Sequence, residues 1–215
     1  MRVDTELSAH PSPGRRDRKK QQTRAALTAA ALRLVDERGL DRVTVEDISE
    51  AADVSPRTFF NYFATKDDAV IGDQITDGAT LPDRLRAVDP RVGVLDAILR
   101  VLAPAIEQIQ ADRDLWLMRM RVIADNPTLL PTLFARGMTA EQEFIAALAE
   151  RTGLTADDAF PPLVAAVTSA AFRTAMIRWA AADDARELAG FVDEAFGMLA
   201  AGLAQPTPTT EEVPT

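Results

Sequence analysis

The chain has 215 residues, of which 47% are hydrophobic and 27% are charged, and its net charge is −9. The absence of cysteine excludes disulfides, thiolate metal sites and cysteine nucleophiles, and the single histidine, His10, lies among proline and serine residues. An enzyme would have to work with carboxylates alone, so we expect no catalytic residue, no metal and no cofactor.

The charge is divided unevenly along the chain. Residues 1–66 carry 12 Lys and Arg against 10 Asp and Glu, a net +2, whereas residues 67–215 carry 12 against 23, a net −11. Residues 1–17 mix proline, serine, glycine and charge without periodicity, which predicts a disordered basic arm. A dense basic group that attracts polyanions lies at and beyond its end. It consists of Arg15, Arg16, Arg18, Lys19, Lys20 and Arg24.

Apolar residues repeat at helical spacing from Lys19 onward, which predicts a first helix that runs to about Arg38. Gly39 is a residue type favoured just after helix ends, so the helix is expected to stop there. Three helices are predicted to share one small core. Its expected members are Leu27, Ala31, Leu34, Val35, Leu40, Val45, Ile48, Phe59 and Phe63.

The stretch that begins at Thr44 predicts a helix, a tight turn and a second helix. Thr44 is a favoured N-cap whose hydroxyl can accept the backbone N–H of Asp47, and Asp53 tolerates the left-handed backbone of a turn. Ser55 is a second N-cap, and Pro56 after it fixes φ for the first position of the next helix. The apolar anchors expected of the two helices are Val45, Ile48, Ala52, Phe59, Phe60 and Phe63, whereas Ser49 is expected to stay in water.

The second helix carries hydrogen-bonding side chains on its first two turns. A helix-turn-helix places the start of its second helix against base edges in the major groove. There Arg, Thr and Asn read guanine, the thymine methyl group and adenine, so we expect Arg57, Thr58 and Asn61 to set base preference. Tyr62 and Lys66 are expected to contact phosphates. The complete predicted DNA-binding set is Arg15, Arg16, Lys19, Lys20, Arg24, Thr44, Ser55, Pro56, Arg57, Thr58, Asn61, Tyr62 and Lys66.

The run Val-Ser-Pro-Arg-Thr-Phe-Phe-Asn-Tyr-Phe at 54–63, followed by Thr-Lys-Asp-Asp at 65–68, closely resembles the DNA-binding signature of the TetR family (TetR/AcrR type). The resemblance covers about residues 18 to 72, and Asp53 departs from the glycine often found at the turn. It implies an all-α fold of about nine helices, with a three-helix DNA-binding domain and a C-terminal domain for ligand binding and dimerisation. It also implies that the fourth helix links the domains and carries the effector signal.

The remaining chain is predicted to be helical. Thr65 is expected to cap a short fourth helix, followed by a loop over residues 72–90. Longer helices are predicted at 92–110, 112–125, 131–152, 162–182 and 185–204, with a kink at Pro104. The predicted domains are 18–66 for DNA binding and 67–204 for effector binding and dimerisation, and residues 205–215 are expected to form a disordered tail.

Large, soft side chains lie on these long helices. Any one of them fits an ordinary core, but together they suit an adaptable apolar pocket. The predicted ligand pocket consists of Ile98, Leu102, Trp116, Met120, Phe134, Met138, Phe172, Met176 and Trp179. The effector is expected to be small and hydrophobic, and an acyl-CoA, a drug or another lipid-like ligand are all compatible with such a pocket.

The last two helices are rich in alanine, which permits close helix approach, and they suggest a subunit interface at the end of the chain. The resemblance implies a homodimer held there by a four-helix bundle. Apolar runs such as Leu163 to Phe172 are too short to span a bilayer, and the N-terminus has no apolar stretch of the signal-peptide kind. We therefore expect a cytoplasmic protein with no membrane partner.

These observations favour a dimeric, non-enzymatic transcriptional regulator that binds double-stranded operator DNA. The resemblance implies a repressor that a small molecule releases. One alternative is a helical small-molecule-binding protein or enzyme that keeps the helix-turn-helix as a structural corner, which the lack of His and Cys in the folded part disfavours. Another is an architectural DNA-binding protein without an effector, in which most of the chain would serve dimerisation only.

Overall fold

The computed structural model describes residues 15–72, 80–182 and 186–203. Over these ranges the chain is all-α, as predicted, with ten α-helices and no strand. They are α1 (Arg15–Arg38), α2 (Val45–Ala51), α3 (Pro56–Phe60), α4 (Lys66–Ile71), α5 (Leu81–Ala87), α6 (Val94–Ala111), α7 (Arg113–Asp125), α8 (Leu130–Thr152), α9 (Phe160–Ala181) and α10 (Leu188–Ala200). The helices form two compact units, the first comprising Met1–Ala79 and Met118–Leu133, and the second Thr80–Leu117 and Phe134–Thr215.

The first unit is built on α1, against which α2 and α4 pack. α1 ends as predicted, because Gly39 adopts a φ of 84° and its N–H donates to the carbonyl of Val35 at 2.8 Å. Eight residues predicted for the small core are buried, and Val45 is half-buried. α4 was assigned by prediction to the second domain, but it packs within the first unit, where its last three residues are buried.

The expectation that Ser49 stays in water is wrong. Its exposed fraction is 1%, and its Oγ has no hydrogen-bond partner among the described residues. Ser49 lies four residues after Val45 and next to Ile48, so it shares the buried face of α2.

A Thr-x-x-Asp pattern recurs at helix starts. Three helices, α2, α4 and α5, begin with a capping box in which the Thr hydroxyl and the Asp carboxylate each accept the other residue's backbone N–H. One half of this pattern closes a turn before α9, where the Asp158 carboxylate accepts the backbone N–H of Thr155 at 2.7 Å. Hydrogen bonds from the threonines lower the pKa of the aspartates Asp47, Asp83 and Asp158.

The second unit has a single cluster of buried apolar residues to which α5, α6, α8, α9 and α10 contribute. α9 and α10 pack along each other, and α6 packs against α10 and α5. α5 lies in the segment predicted to be a loop. It forms because Thr80 caps it and Pro82 stands in its first turn, where a missing N–H costs nothing.

The predicted bounds of the long helices agree closely with the structure. α6, α7, α8 and α9 begin and end within two residues of the predicted positions, whereas α10 is shorter than predicted at both ends. α6 continues through Pro104, and the predicted kink there stays a prediction. α1 begins at Arg15, so the last three residues of the predicted disordered arm are helical. The rest of that arm and the predicted tail, 205–215, lie outside the described residues.

α9 meets the length and composition of a membrane-spanning helix over Phe160–Ala181, with a mean hydropathy of 1.3. The expectation that apolar runs are too short does not hold for this helix, because its polar interruptions are few. About a third of the apolar window, 33%, is buried within the protein. Val164, Ala165 and Trp179 place one side of α9 in the core of the second unit, as in core helices that meet the same criterion.

Candidate functional site

The turn between α2 and α3 has the geometry of a helix-turn-helix. Asp47 donates its backbone N–H to Thr44 Oγ1 at 3.1 Å and accepts the Thr44 N–H at 2.9 Å, which confirms the predicted N-cap. After α2, Asp53 adopts the predicted left-handed backbone with a φ of 53°. The N–H of Val54 donates to the Ser49 carbonyl at 2.9 Å, which closes a Schellman turn. Aspartate therefore supports the turn in place of glycine.

α3 begins at the predicted cap. Ser55 Oγ accepts the backbone N–H of Thr58 at 3.1 Å and is 2.9 Å from Thr58 Oγ1, while Pro56 occupies the first turn. Of the predicted base readers, Arg57 and Asn61 are exposed. Thr58 is half-buried and its hydroxyl is engaged with Ser55, and its predicted contact with a base edge stays a prediction.

Two of the cations predicted to contact phosphates stabilise the motif through hydrogen bonds to backbone carbonyls. Arg24 is half-buried, donates to the Tyr62 carbonyl at 3.0 Å, and lies 4.4 Å from the ring centroid of Phe63. Lys66 Nζ donates to the carbonyls of Leu40 and Val43 at 2.8 and 3.0 Å. These donors satisfy backbone oxygens within the first unit, so we infer that both residues stabilise the motif, and their phosphate contacts stay predictions.

The other predicted phosphate contacts are placed as follows. Lys19 and Lys20 are exposed on α1, and Thr44 is exposed at the start of α2. Tyr62 is half-buried. The side chains of Arg15 and Arg16 lie outside the described residues. The DNA contacts of these residues stay predictions.

The expectation that Phe60 anchors α3 is wrong, since its side chain is 58% exposed. Phe59 and Phe63, four residues apart, are buried on the same side of the helix. Phe60 lies three residues after Arg57 and therefore shares the exposed side. The helical spacing in the sequence distinguishes Phe60 from Phe59 and Phe63, although all three lie within five residues.

Six residues of the predicted ligand pocket lie together in the apolar cluster of the second unit. They are Ile98, Leu102, Trp116, Phe172, Met176 and Trp179. The rings of Trp116 and Trp179 are 5.6 Å apart between centroids with an interplanar angle of 56°. The guanidinium of Arg113, which was not predicted, lies 5.3 Å from the ring centroid of Trp179. The aromatic pair thus has a cation beside it.

The three other predicted pocket residues do not join this cluster. Phe134 and Met138 are 70% and 46% exposed, so they are removed from the predicted pocket. They lie in the first half of α8, which has few buried residues. Met120 is half-buried in the first unit, so it is removed as well.

Comparisons with known proteins agree with both units. The family model of bacterial regulatory proteins of the tetR family matches residues 27–70, and that of the MftR C-terminal domain matches residues 92–204. The HTH-type transcriptional regulator TcmR of Streptomyces glaucescens is 33% identical over 176 residues, which cover 78% of this chain and 77% of TcmR. The mycofactocin biosynthesis transcriptional regulator MftR of Mycobacterium tuberculosis is 29% identical over 196 residues, covering 90% of this chain and 97% of MftR.

Among solved structures, the fold is similar to Thermus thermophilus FadR, a TetR family repressor in complex with lauroyl-CoA. The TM-score is 0.53 at 21% identity, and the match covers 89% of this chain and 99% of FadR. At this identity the likeness concerns the fold alone. The family models and the identity to TcmR carry the assignment. The chain belongs to the TetR family, and it is a DNA-binding helix-turn-helix transcriptional regulator.

Proposed function

We propose that this regulator represses transcription in the cytoplasm by binding a palindromic operator as a homodimer, and that a small hydrophobic effector releases it. The observation that carries the DNA part is the exposed side of α3. There Arg57 and Asn61 are exposed, while Phe59 beneath them is buried. Two such helices related by a two-fold axis meet two half-sites of an operator.

Gel shifts with operator and random duplexes across a range of salt concentrations test this part. Asn61→Ala is expected to reduce the difference in binding free energy between operator and random duplexes by about 1–3 kcal/mol, because it removes a base contact. The matched change Lys20→Ala, at an exposed position of α1, is expected to weaken binding to both duplexes alike and to reduce the salt slope. Binding that does not depend on salt, or binding by monomers only, would refute this part of the proposal.

The dimer interface proposed here is the outer side of α9 and α10. The side of α9 away from the core exposes Leu163 and Ile177, which are 59% and 62% exposed, and α10 exposes Met198. Large apolar side chains that are exposed together on one side of a helix mark an interaction surface. A second copy of α9 and α10 would bury these side chains in a four-helix bundle.

Sedimentation of two matched variants tests this interface. Ile177→Glu places a charge on the proposed interface and is expected to give monomers that bind the operator weakly. Leu154→Glu makes the same change at an exposed apolar residue between α8 and α9, and it is expected to stay dimeric. A dimeric Ile177→Glu protein would place the interface elsewhere.

The effector site proposed here is the apolar cluster around Trp116 and Trp179. Met176 and the two indoles offer large, polarisable surfaces that adapt to an apolar ligand. The guanidinium of Arg113 lies beside Trp179, and one of its nitrogens donates to the carbonyls of Ala180 and Ala182 at 3.4 Å. A guanidinium has five N–H donors, so Arg113 supports an effector that also carries an acidic group. Lauroyl-CoA, the ligand in the FadR complex, combines an apolar chain with anionic groups. We therefore propose an amphipathic, acyl-CoA-like effector.

Tryptophan fluorescence and operator release, both with lauroyl-CoA as the probe, test the site. The parent protein is expected to show a fluorescence change at the concentrations that release the operator. Phe172→Ala is expected to lose both responses, whereas Phe134→Ala, an exposed phenylalanine outside the cluster, is expected to keep them. If Phe134→Ala lost both responses and Phe172→Ala kept them, the effector site would lie at α8. If lauroyl-CoA caused neither a fluorescence change nor operator release in the parent, this effector class would be rejected.

The dimer is proposed to have two forms, one whose recognition helices match the operator half-sites and one whose helices do not. The effector releases the operator if it binds the second form more tightly than the first. A difference of about 2–3 kcal/mol in effector affinity between the two forms lowers operator affinity roughly 30- to 150-fold. Thermodynamic linkage requires the operator to weaken effector binding by the same factor, which titration of the preformed complex measures.

A further inference from the structure

The second helix of the motif presents a continuous exposed surface. Its residues are Pro56, Arg57, Phe60, Asn61 and Ala64, all of which are exposed. They are spaced by one, three and four positions, the spacing of one helical side, which the turn after α3 extends. We name this surface the reading face. Phe60 lies in its middle, three residues after Arg57 and next to Asn61.

The Phe60 side chain is held on this surface by the residue beneath it. Its ring packs edge-on against Phe59, with centroids 5.5 Å apart and an interplanar angle of 84°. Phe59 itself is fully buried and also contacts the ring of Phe63 at 5.7 Å. Edge-to-face packing favours one ring orientation, and phenylalanine has only two side-chain torsions. The protomer therefore presents a rigid apolar ring among polar side chains.

The chemistry of phenylalanine restricts what this ring can contact on DNA. It has no donor or acceptor, so it makes no hydrogen bond to a phosphate or to a polar base edge. The apolar group that the major groove offers is the C5-methyl of thymine. We infer that Phe60 is a specificity-determining residue that reads thymine by packing its ring on this methyl group. The inference rests on the proposed function, because it requires the reading face to lie in the major groove.

A scan with deoxyuridine tests this inference, since uracil differs from thymine only in lacking the methyl group. The operator is first selected from random duplexes with the parent dimer, and each thymine is then replaced singly by deoxyuridine. The parent is expected to lose roughly fourfold in affinity at one thymine position of each half-site, the value for one buried methyl group. Phe60→Ala is expected to bind the unmodified operator more weakly and to be insensitive to uracil at that position.

Two variants separate the ring from its neighbours. Phe60→Leu keeps an apolar side chain and is expected to retain part of the sensitivity to uracil. Asn61→Ala is expected to lose discrimination at its own base while keeping the full sensitivity to uracil. Since the Phe60 ring is largely exposed and Phe60→Ala removes only its edge contact with Phe59, the unfolding midpoint is expected to fall slightly while the variant stays folded under the binding conditions.

The inference is overturned if the parent tolerates every uracil, a result that needs no variant protein. It is also overturned if each replacement of thymine by deoxyuridine lowers the affinity of Phe60→Ala as much as that of the parent. Failure of the proposed function looks different, because no operator would then be selected or only monomers would bind it.

Discussion

Both units use half-buried cations to satisfy backbone carbonyls, but they differ in the apolar side chains that they leave exposed. In the first unit Lys66 donates to two carbonyls before α2, and in the second Arg151 donates to the carbonyls of Val88, Asp89 and Val92 at 2.7–2.8 Å. Within the described range, the large hydrophobic residues that the first unit exposes are Phe60 and Leu130. The second unit exposes several, on α8, α9 and α10.

This difference distinguishes a unit that packs by itself from one that another copy completes. The short helices of the first unit are fixed by caps and by contacts to α1, so a single chain satisfies most of its apolar surface. In the second unit α9 covers the core with one side and leaves Leu163 and Ile177 on the other. Stability of the first unit is therefore expected to be independent of protein concentration, and that of the second to depend on it.

The largest expected effect is that of Arg151→Ala. Removing the guanidinium takes a charged donor from three carbonyls in the segment before α6, and the carbonyl of Asp89 alone keeps the backbone N–H of Val92 at 3.0 Å. The expected loss of stability is about 3 kcal/mol. Urea unfolding followed by circular dichroism measures the loss. Arg33→Ala, which removes an exposed arginine on α1, is the control and should change stability little. Equal stability of both variants would show that these hydrogen bonds contribute no net free energy.

Lys66→Met is expected to cost about 2 kcal/mol, because two carbonyls lose a charged donor while the aliphatic part is kept. The loss should appear in the unfolding of the first unit, and operator binding at low temperature should be largely preserved. Unchanged stability together with weaker binding to operator and random DNA alike would support a contact between Lys66 and a DNA phosphate.

Ser49→Ala is expected to stabilise the protein by about 0.5 kcal/mol. The buried hydroxyl has no partner among the described residues, and alanine has the higher helix propensity. The thermal midpoint of the variant, compared with Glu50→Ala on the exposed side of α2, measures the effect. A lower midpoint would reveal a hydrogen bond that the hydroxyl makes in solution.

The smallest expected effect concerns pH. Hydrogen bonds from Thr44 and Thr155 lower the pKa of Asp47 and Asp158 in the folded protein relative to the ordinary 3.8. Their stabilising contribution is therefore fully present above the unfolded pKa and is lost as the pH falls through the folded pKa. Unfolding from pH 7 to pH 2 should show a shallower acid dependence in Asp158→Asn than in the parent. Identical profiles would show that the hydrogen bonds between Thr155 and Asp158 do not contribute to stability.

The local features of the first unit were predictable because each depends on a few neighbouring residues. Thr44, Asp53 and Ser55 act on backbone groups within five positions of themselves, so their chemistry can be read along the sequence. The roles of Arg24 and Lys66 were not predictable in this way. Their partners lie 38 and 26 positions away, and a cation near a DNA-binding motif looks the same whether it faces phosphate or carbonyl.

In the second unit the periodicity predicted where α6 to α9 begin and end, but not which large residues meet. Phe172 and Phe134 are both aromatics on long helices, yet the first joins the cluster and the second is exposed. The sequence of α8 gives no sign that its first half lies mostly outside the core, because that depends on helix packing over long distances.

Asp53 has a consequence for the unfolded chain. Holding aspartate in the left-handed region costs about 1–2 kcal/mol in the folded state, a cost that glycine avoids. Glycine, however, gives the unfolded chain more freedom, which costs about 0.4–1 kcal/mol on folding. The cost in the folded state is the larger of the two, so Asp53→Gly should stabilise the protein by up to about 1 kcal/mol. The shape of the turn is fixed by the hydrogen bonds that Asp53 and Val54 donate to Glu50 and Ser49, at 3.1 and 2.9 Å.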